Sequence, residues 1–241
     1  MTTRTAETSP QVYARTAGVL YLVIIVIGFW SEFFVKGNLI VSGDATATAN
    51  NIMAHESLWR LSVAGQLIEL ACAITVTLIL YVLLRPVNRN LALLAAFFNL
   101  VSIAVEGITR LSLFAVVLLL GGADYLEAFE PQQLQGLAYL VLRLDSYGFG
   151  ISLLFFSFRL SLNGYLIFRS GYLPRTLGVL LILGALSYLT NSLVLFLAPT
   201  FANMIFPILA LAFIGELSLS LWFIVKGVNV PKWEKRAAES A

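Results

Sequence analysis

The chain has 241 residues, 59% of them hydrophobic and 12% charged, with a mean hydropathy of +0.89 and a formal net charge of +2. A soluble domain carries about twice that share of charge, so composition excludes an ordinary soluble enzyme and points to an all-α membrane protein. One cysteine, Cys72, and one histidine, His55, exclude an intramolecular disulfide, a cysteine metal cluster, a three-histidine zinc site and bis-histidine haem ligation.

Six apolar runs predict a six-transmembrane-helix bundle over residues 12–228, between a tail at 1–11 and a second tail at 229–241. The first run, 16–34, has too long a core for a cleaved signal peptide. It ends in Trp30-Ser31-Glu32-Phe33 with no small-residue cleavage pattern, and reads as a retained anchor. In the connection that follows, Asp44 before Ala-Thr-Ala-Thr-Ala-Asn-Asn-Ile-Met predicts a short outer-surface helix with an aspartate N-cap, and places Trp59 near the interface. The second and third spans cover 61–84 and 91–120. Pro131 suits a first helical turn, so the fourth span, 147–168, is expected to extend back through Gln132–Asp145 as one helix projecting from the bilayer. From Thr176 to Gly215 no residue is charged; Pro199, Thr200 and Asn203 divide this stretch into a fifth span, 176–198, and a sixth, 204–225. No internal repeat is visible.

Lysine and arginine placement sets the orientation. One side receives Arg4, Arg15, Arg85, Arg89, Arg169, Arg175, Lys226, Lys232, Lys235 and Arg236; the other receives Lys36 and Arg60. Both termini are therefore expected in the cytoplasm.

Three glutamates interrupt the apolar runs at matched depth. Glu32 is 17 residues from Arg15, Glu69 is 16 from Arg85, and Glu106 is 17 from Arg89. At about 1.5 Å per residue each lies roughly 24–25 Å into a slab about 30 Å thick. Intramembrane carboxylates are costly and mark candidate sites. Asn191, 16 residues from Arg175, falls at the same depth, and Arg110 lies one helical turn beyond Glu106 on the same face. Polar stripes share these faces: Ser62, Gly65, Gln66, Glu69 and Cys72 in the second span, and Asn99, Ser102, Glu106 and Arg110 in the third. Glu32, Glu69, Glu106, Arg110, Gln66 and Asn191 form the candidate ligand- or ion-binding set. Arg143 and Asp145 fall near its outer mouth. A second layer lies near the midplane, where Arg159 is 10 residues from Arg169 and Glu216 is 10 from Lys226. An unpaired arginine there is expensive, which predicts a structural Arg159–Glu216 ion pair between the fourth and sixth helices. Tyr13, Trp30, Tyr172 and Trp233 read as interface-belt residues.

Several segments together carry a resemblance. Ala14-Arg15-Thr16-Ala17-Gly18-Val19-Leu20-Tyr21-Leu22 opens the first span. Leu84-Arg85-Pro86-Val87-Asn88-Arg89 joins spans two and three. Gly164-Tyr165-Leu166-Ile167-Phe168-Arg169-Ser170-Gly171-Tyr172-Leu173-Pro174-Arg175-Thr176-Leu177-Gly178 joins spans four and five. Over residues 12–228 the chain resembles the bacterial membrane-protein family called domain of unknown function 4386, the Arg-Ser-Gly-Tyr-Leu-Pro-Arg turn being the most specific match. The resemblance implies a multi-pass protein of the bacterial inner membrane and implies no activity.

Three functions are compatible with these residues. The first is binding of a small ligand, proton or cation in an outward-facing pocket lined by carboxylates, as in a transporter or sensor. The second is an intramembrane enzyme using a glutamate general acid/base on a lipid-type substrate. It ranks lower, because no nucleophile, metal-ligand set or cofactor motif is evident. The third is a structural or partner-binding membrane subunit. The expected partners are the lipid bilayer and a small ligand or cation, with no nucleic acid, no metal and no cofactor. Transport through six short spans would call for a homo-oligomer.

Overall fold

The computed structural model describes residues 9–201 and 206–240. Arg4 and Asn203, which entered the topology above, and the first residues of the sixth predicted span lie outside the described residues. All regular elements among the described residues are helical. Helix α1 (Pro10–Phe29) continues through a π-helical segment, Trp30–Lys36, and a last α-turn, Gly37–Leu39. Then come α2 (Ala45–Ala54), α3 (Glu56–Leu84), α4 (Arg89–Leu120), α5 (Pro131–Ser170), α6 (Arg175–Leu197), α7 (Leu209–Val225) and α8 (Val230–Glu239). The first span, α3, α4, α5 and α6 are each long and apolar enough to cross a membrane. Helix α7 has 17 residues and follows a short 3₁₀ turn, Phe206–Ile208.

Local chemistry sets the helix ends. Asn88 Oδ1 accepts from Leu91 N at 3.0 Å and starts α4. Asp44 Oδ1 accepts from Ala47 N at 2.8 Å and starts α2, as its position in the sequence suggests. Helix α5 begins with Pro131 behind a Glu130/Gln133 capping box and runs unbroken for 40 residues, about 60 Å. It ends at Gly171, whose φ of 74° lies in the left-handed region that glycine adopts without strain.

The six membrane helices form a closed ring. Helix α1 packs on α3, α3 on α4, α4 on α5, α5 on α6, α6 on α7, and α7 returns to α1. Short connections make successive helices antiparallel. The start of α1, the end of α7 and the α3–α4 and α5–α6 turns therefore share one face, here the terminal face. Helix α2 and the 121–130 connection lie on the other, distal face, where α2 packs on the projecting start of α5. Gly43 N donates to Tyr139 Oη at 2.7 Å, and Thr46 Oγ1 donates to Gln135 Oε1 at 2.8 Å.

The exposure pattern is inverted relative to a water-soluble protein. Leu61, Ile68 and Leu78 on α3 and Ile108, Leu111 and Leu118 on α4 are all more than half exposed, whereas Gln66, Asn99, Arg110, Asp145 and Arg159 are buried. Apolar surface outside and polar groups inside is the arrangement a bilayer solvent favours. Small residues bring the helices together: a methyl group on Gly178 would come within 2.5 Å of the Gly164 carbonyl oxygen across α5 and α6. A large apolar core including Leu80, Leu83, Leu160, Leu166, Leu181 and Phe223 fills the terminal half.

Three aromatic residues assigned to the membrane interface are instead structural. Trp59 is 1% exposed and donates from Nε1 to Leu113 O at 3.1 Å, within a second core beneath α2. Tyr172 is buried and its hydroxyl donates to Leu83 O at 2.6 Å. Trp233, on α8 after a 103° turn from α7, donates from Nε1 to the same carbonyl at 2.9 Å. The C-terminal carbonyls of a helix lack intrahelical partners, so these donors close the end of α3.

Candidate functional site

The arrangement at mid-depth follows from how closely α1 and α7 approach. Ser220 Oγ donates to Gly18 O at 2.9 Å, and a side chain on Gly18 would strike the Ser220 carbonyl. One turn further along the antiparallel pair, Tyr21 therefore faces Glu216. Its hydroxyl donates to Glu216 Oε2 at 2.7 Å, and Tyr188 from α6 donates to Oε1 at 2.7 Å. Arg159 reaches across the ring and donates from Nη1 to Tyr21 Oη at 3.3 Å. Its guanidinium lies 4.6 Å from the Phe156 ring centroid and 5.6 Å from that of Tyr21. The predicted Arg159–Glu216 pair is thus corrected: the charges share one cluster, but the Tyr21 phenol stands between them. Each glutamate oxygen already has a phenolic donor, and the arginine is held by aromatic faces as well as by a hydrogen bond.

Above this floor the ring is hollow. A cavity of about 720 Å³ is lined by residues from all six membrane helices, with Glu216 and Tyr188 at its base. Glu32, Glu69, Glu106, Arg110 and Gln66 line it together, so the matched depths counted along the sequence correspond to one shared space. The remaining wall is largely apolar: Ile24, Ile25, Phe29 and Phe33 from the first span, Phe149, Leu153 and Phe156 from α5, and Leu209 and Phe213 from α7. Asn191 is absent from this lining. It is half-buried on α6, and Tyr188, one turn nearer the terminal face, is the α6 residue that reaches the cavity.

The ionisable groups divide into a paired set and an unpaired one. Lys36 Nζ lies 2.8 Å from Glu32 Oε1 and 2.9 Å from Asp145 Oδ2. Asp145 Oδ1 in turn lies 3.8 Å from Arg110 Nη1, and Arg110 pairs with Glu106 one turn away on α4. The chain Glu32–Lys36–Asp145–Arg110–Glu106 ties α1, α5 and α4 together. It alternates in sign, so each cation sits between two carboxylates, which offsets the cost of withdrawing both from water. The sequence placed Lys36 on the outer side, beyond the first span at 16–34. It lies instead in the π-helical segment, whose wider turns are a frequent feature of functional regions.

Glu69 stands apart. Among the described residues it makes no hydrogen bond and no ion pair, and its carboxylate faces bare Gly28, where an added methyl group would come 3.5 Å from Oε1. Three further lining residues have unmet capacity: Ser31 Oγ, Gln66 Oε1 and Arg110 Nε and Nη1 are buried with no hydrogen-bond partner among the described residues. Leaving such groups unsatisfied costs about 1–3 kcal/mol each. Among the described residues, no three Asp, Glu, His or Cys side chains come close enough together to hold a metal ion.

Sequence reasoning did not find Tyr21 and Tyr188 as partners of Glu216, Lys36 as the bridge, or the aromatic wall. Tyr21 lies on a face with Gly18, Gly28 and Glu32, which was its one available signal. The lining phenylalanines are 17 Phe's worth of background in a chain this apolar, and nothing in spacing separates them.

Fold and site define a multi-pass, all-α membrane protein with a carboxylate-bearing cavity in the half of its helical ring away from the termini. The chain belongs to the family described as Domain of unknown function (DUF4386), which matches residues 16–227. An uncharacterized protein of Archaeoglobus fulgidus is 28% identical over 166 residues, covering 69% of this chain and 83% of the relative. No solved structure matches.

Proposed function

We propose that this protein binds a small cationic ligand, or a proton or cation, in a pocket on the outer side of the cytoplasmic membrane, with both termini inside the cell. The observation that carries the reading is Glu69, a carboxyl group with no hydrogen bond or ion pair among the described residues, on the wall of a large intramembrane cavity. A group so placed favours positive charge, since burial without a counter-ion is expensive. The paired carboxylates Glu32 and Glu106 add negative charge to the same wall, while Lys36 and Arg110 each sit between two carboxylates. Orientation rests on the excess of lysine and arginine on the terminal face, and the bacterial inner-membrane location on the family membership alone.

The test is a melting curve of the purified protein in detergent with sodium, potassium, ammonium, methylamine and 2-phenylethylamine added in turn. At least one cation should raise the melting temperature in a saturable manner, since a ligand that binds the folded state stabilises it. Glu69→Gln should abolish that rise without lowering the unliganded melting temperature. Identical behaviour of wild type and Glu69→Gln with every cation would refute the proposal.

A further inference from the structure

We propose that the cavity takes a hydrophobic amine, its ammonium held by the Glu69 carboxylate and its apolar body packed among Phe29, Phe156 and Phe213. The proposal rests on the cationic-ligand reading above and names the class of ligand.

The head-group argument is one of matching donors to acceptors. An ammonium offers three donors and no acceptor. On the cavity wall the Glu69 carboxylate answers that need: it is partly exposed and, among the described residues, makes no hydrogen bond and no ion pair. Gln66 and Ser31 also line the cavity, but at 2% and 0% exposed their side chains are closed off behind its surface.

The body of the ligand follows from size and wall chemistry. About 720 Å³ is far larger than a bare ion needs, and falls within the range of organic-ligand pockets, about 300–1,000 Å³. A hydrated inorganic cation gains little from phenyl and leucyl walls, whereas an apolar body is attracted to them and an ammonium gains further from aromatic faces. The mouth supports the same class. Phe29, Phe33 and Phe213 line the cavity and are also 43%, 47% and 40% exposed, so the space reaches the outside along the seam of α1 and α7. Phe29 and Phe213 meet across that seam with ring centroids 5.9 Å apart. A seam of exposed phenylalanines in a membrane-spanning ring faces acyl chains, and a molecule that partitions into the bilayer can enter through it.

The experiment is equilibrium binding to the full chain in nanodiscs, with empty nanodiscs subtracting partition into lipid. The probes are 2-phenylethylamine, its neutral counterpart 2-phenylethanol, and methylamine. Saturable binding of 2-phenylethylamine is expected, with 2-phenylethanol and methylamine each at least about tenfold weaker, a difference of one decade in Kd. Glu69→Gln should weaken 2-phenylethylamine by a similar factor. Phe213→Ala should weaken it while leaving methylamine unchanged. Methylamine binding as tightly as 2-phenylethylamine, and dependent on Glu69, would overturn the hydrophobic class and leave the cation-binding function standing. Equal binding of the alcohol on the wild-type protein would overturn the ammonium site without recourse to any variant. No saturable binding of either amine above empty nanodiscs would overturn the inference, and the melting curves with inorganic cations would then decide the broader function.

Discussion

The same six helices build a filled half and a hollow half, and the residues at their contacts account for the difference. Toward the termini, Gly18 lies against Ser220 and Gly164 against Gly178, so backbones nearly touch and leucines close the remaining space. Toward the distal face, glycines such as Gly148 and Gly150 meet side chains, of Thr109 and Leu195, rather than backbone, and the helices enclose a cavity walled by phenylalanines and a five-member ion chain. The boundary is the layer of Arg159, Tyr21, Glu216 and Tyr188. Stability is concentrated below that layer. Above it, charge and unsatisfied polar groups are retained at a cost that packing alone would remove.

Substitutions can break this contrast in graded steps. The largest loss is expected in the filled half. Gly178→Val would drive a branched side chain into the Gly164 backbone and cost about 3 kcal/mol, read as a fall in melting temperature in detergent. Next is Asp145→Ala, at the centre of the ion chain. Lys36 and Arg110 would each retain one carboxylate, so the loss should be about 2 kcal/mol, short of the 3–5 kcal/mol typical of a fully stranded charge. Tyr21→Phe removes the hydroxyl between Arg159 and Glu216 and should cost about 1 kcal/mol in the same assay. The smallest effect on stability belongs to Glu69→Gln, under about 0.5 kcal/mol, because the carboxylate has no partner to lose. A Glu69→Gln variant that melted as early as Asp145→Ala would place Glu69 among the packing residues and erase the contrast.

Much of the ring was legible because hydrophobic length and charge placement are one-dimensional signals. The spans at 61–84 and 91–120, the Asp44 cap and the long helix from Pro131 each follow from residues adjacent in the chain. Counting along the helices also grouped Glu32, Glu69 and Glu106, which line one cavity, since a helix converts residue number into distance. It erred where rotation about the helix axis mattered. Asn191 has the right depth, yet Tyr188 is the residue that faces inward. The ion pair between Arg159 and Glu216 assumed that opposite charges at equal depth meet; the approach of α1 to α7 at Gly18, invisible in hydropathy, put a phenol between them. The π-helical turn at Trp30–Lys36 left no pattern to read, and with it went the role of Lys36.

The account turns on Glu69 facing an open cavity on the side away from the termini, and thiol accessibility measures that directly. In a Cys72→Ser background, Glu69→Cys would be exposed in sealed, oriented vesicles to membrane-impermeant thiol reagents of either charge. Modification from the side opposite the termini, with the cationic reagent reacting faster than the anionic one, is the predicted result. A thiol that stays unreactive from that side, or reacts only from the terminal side, would contradict it.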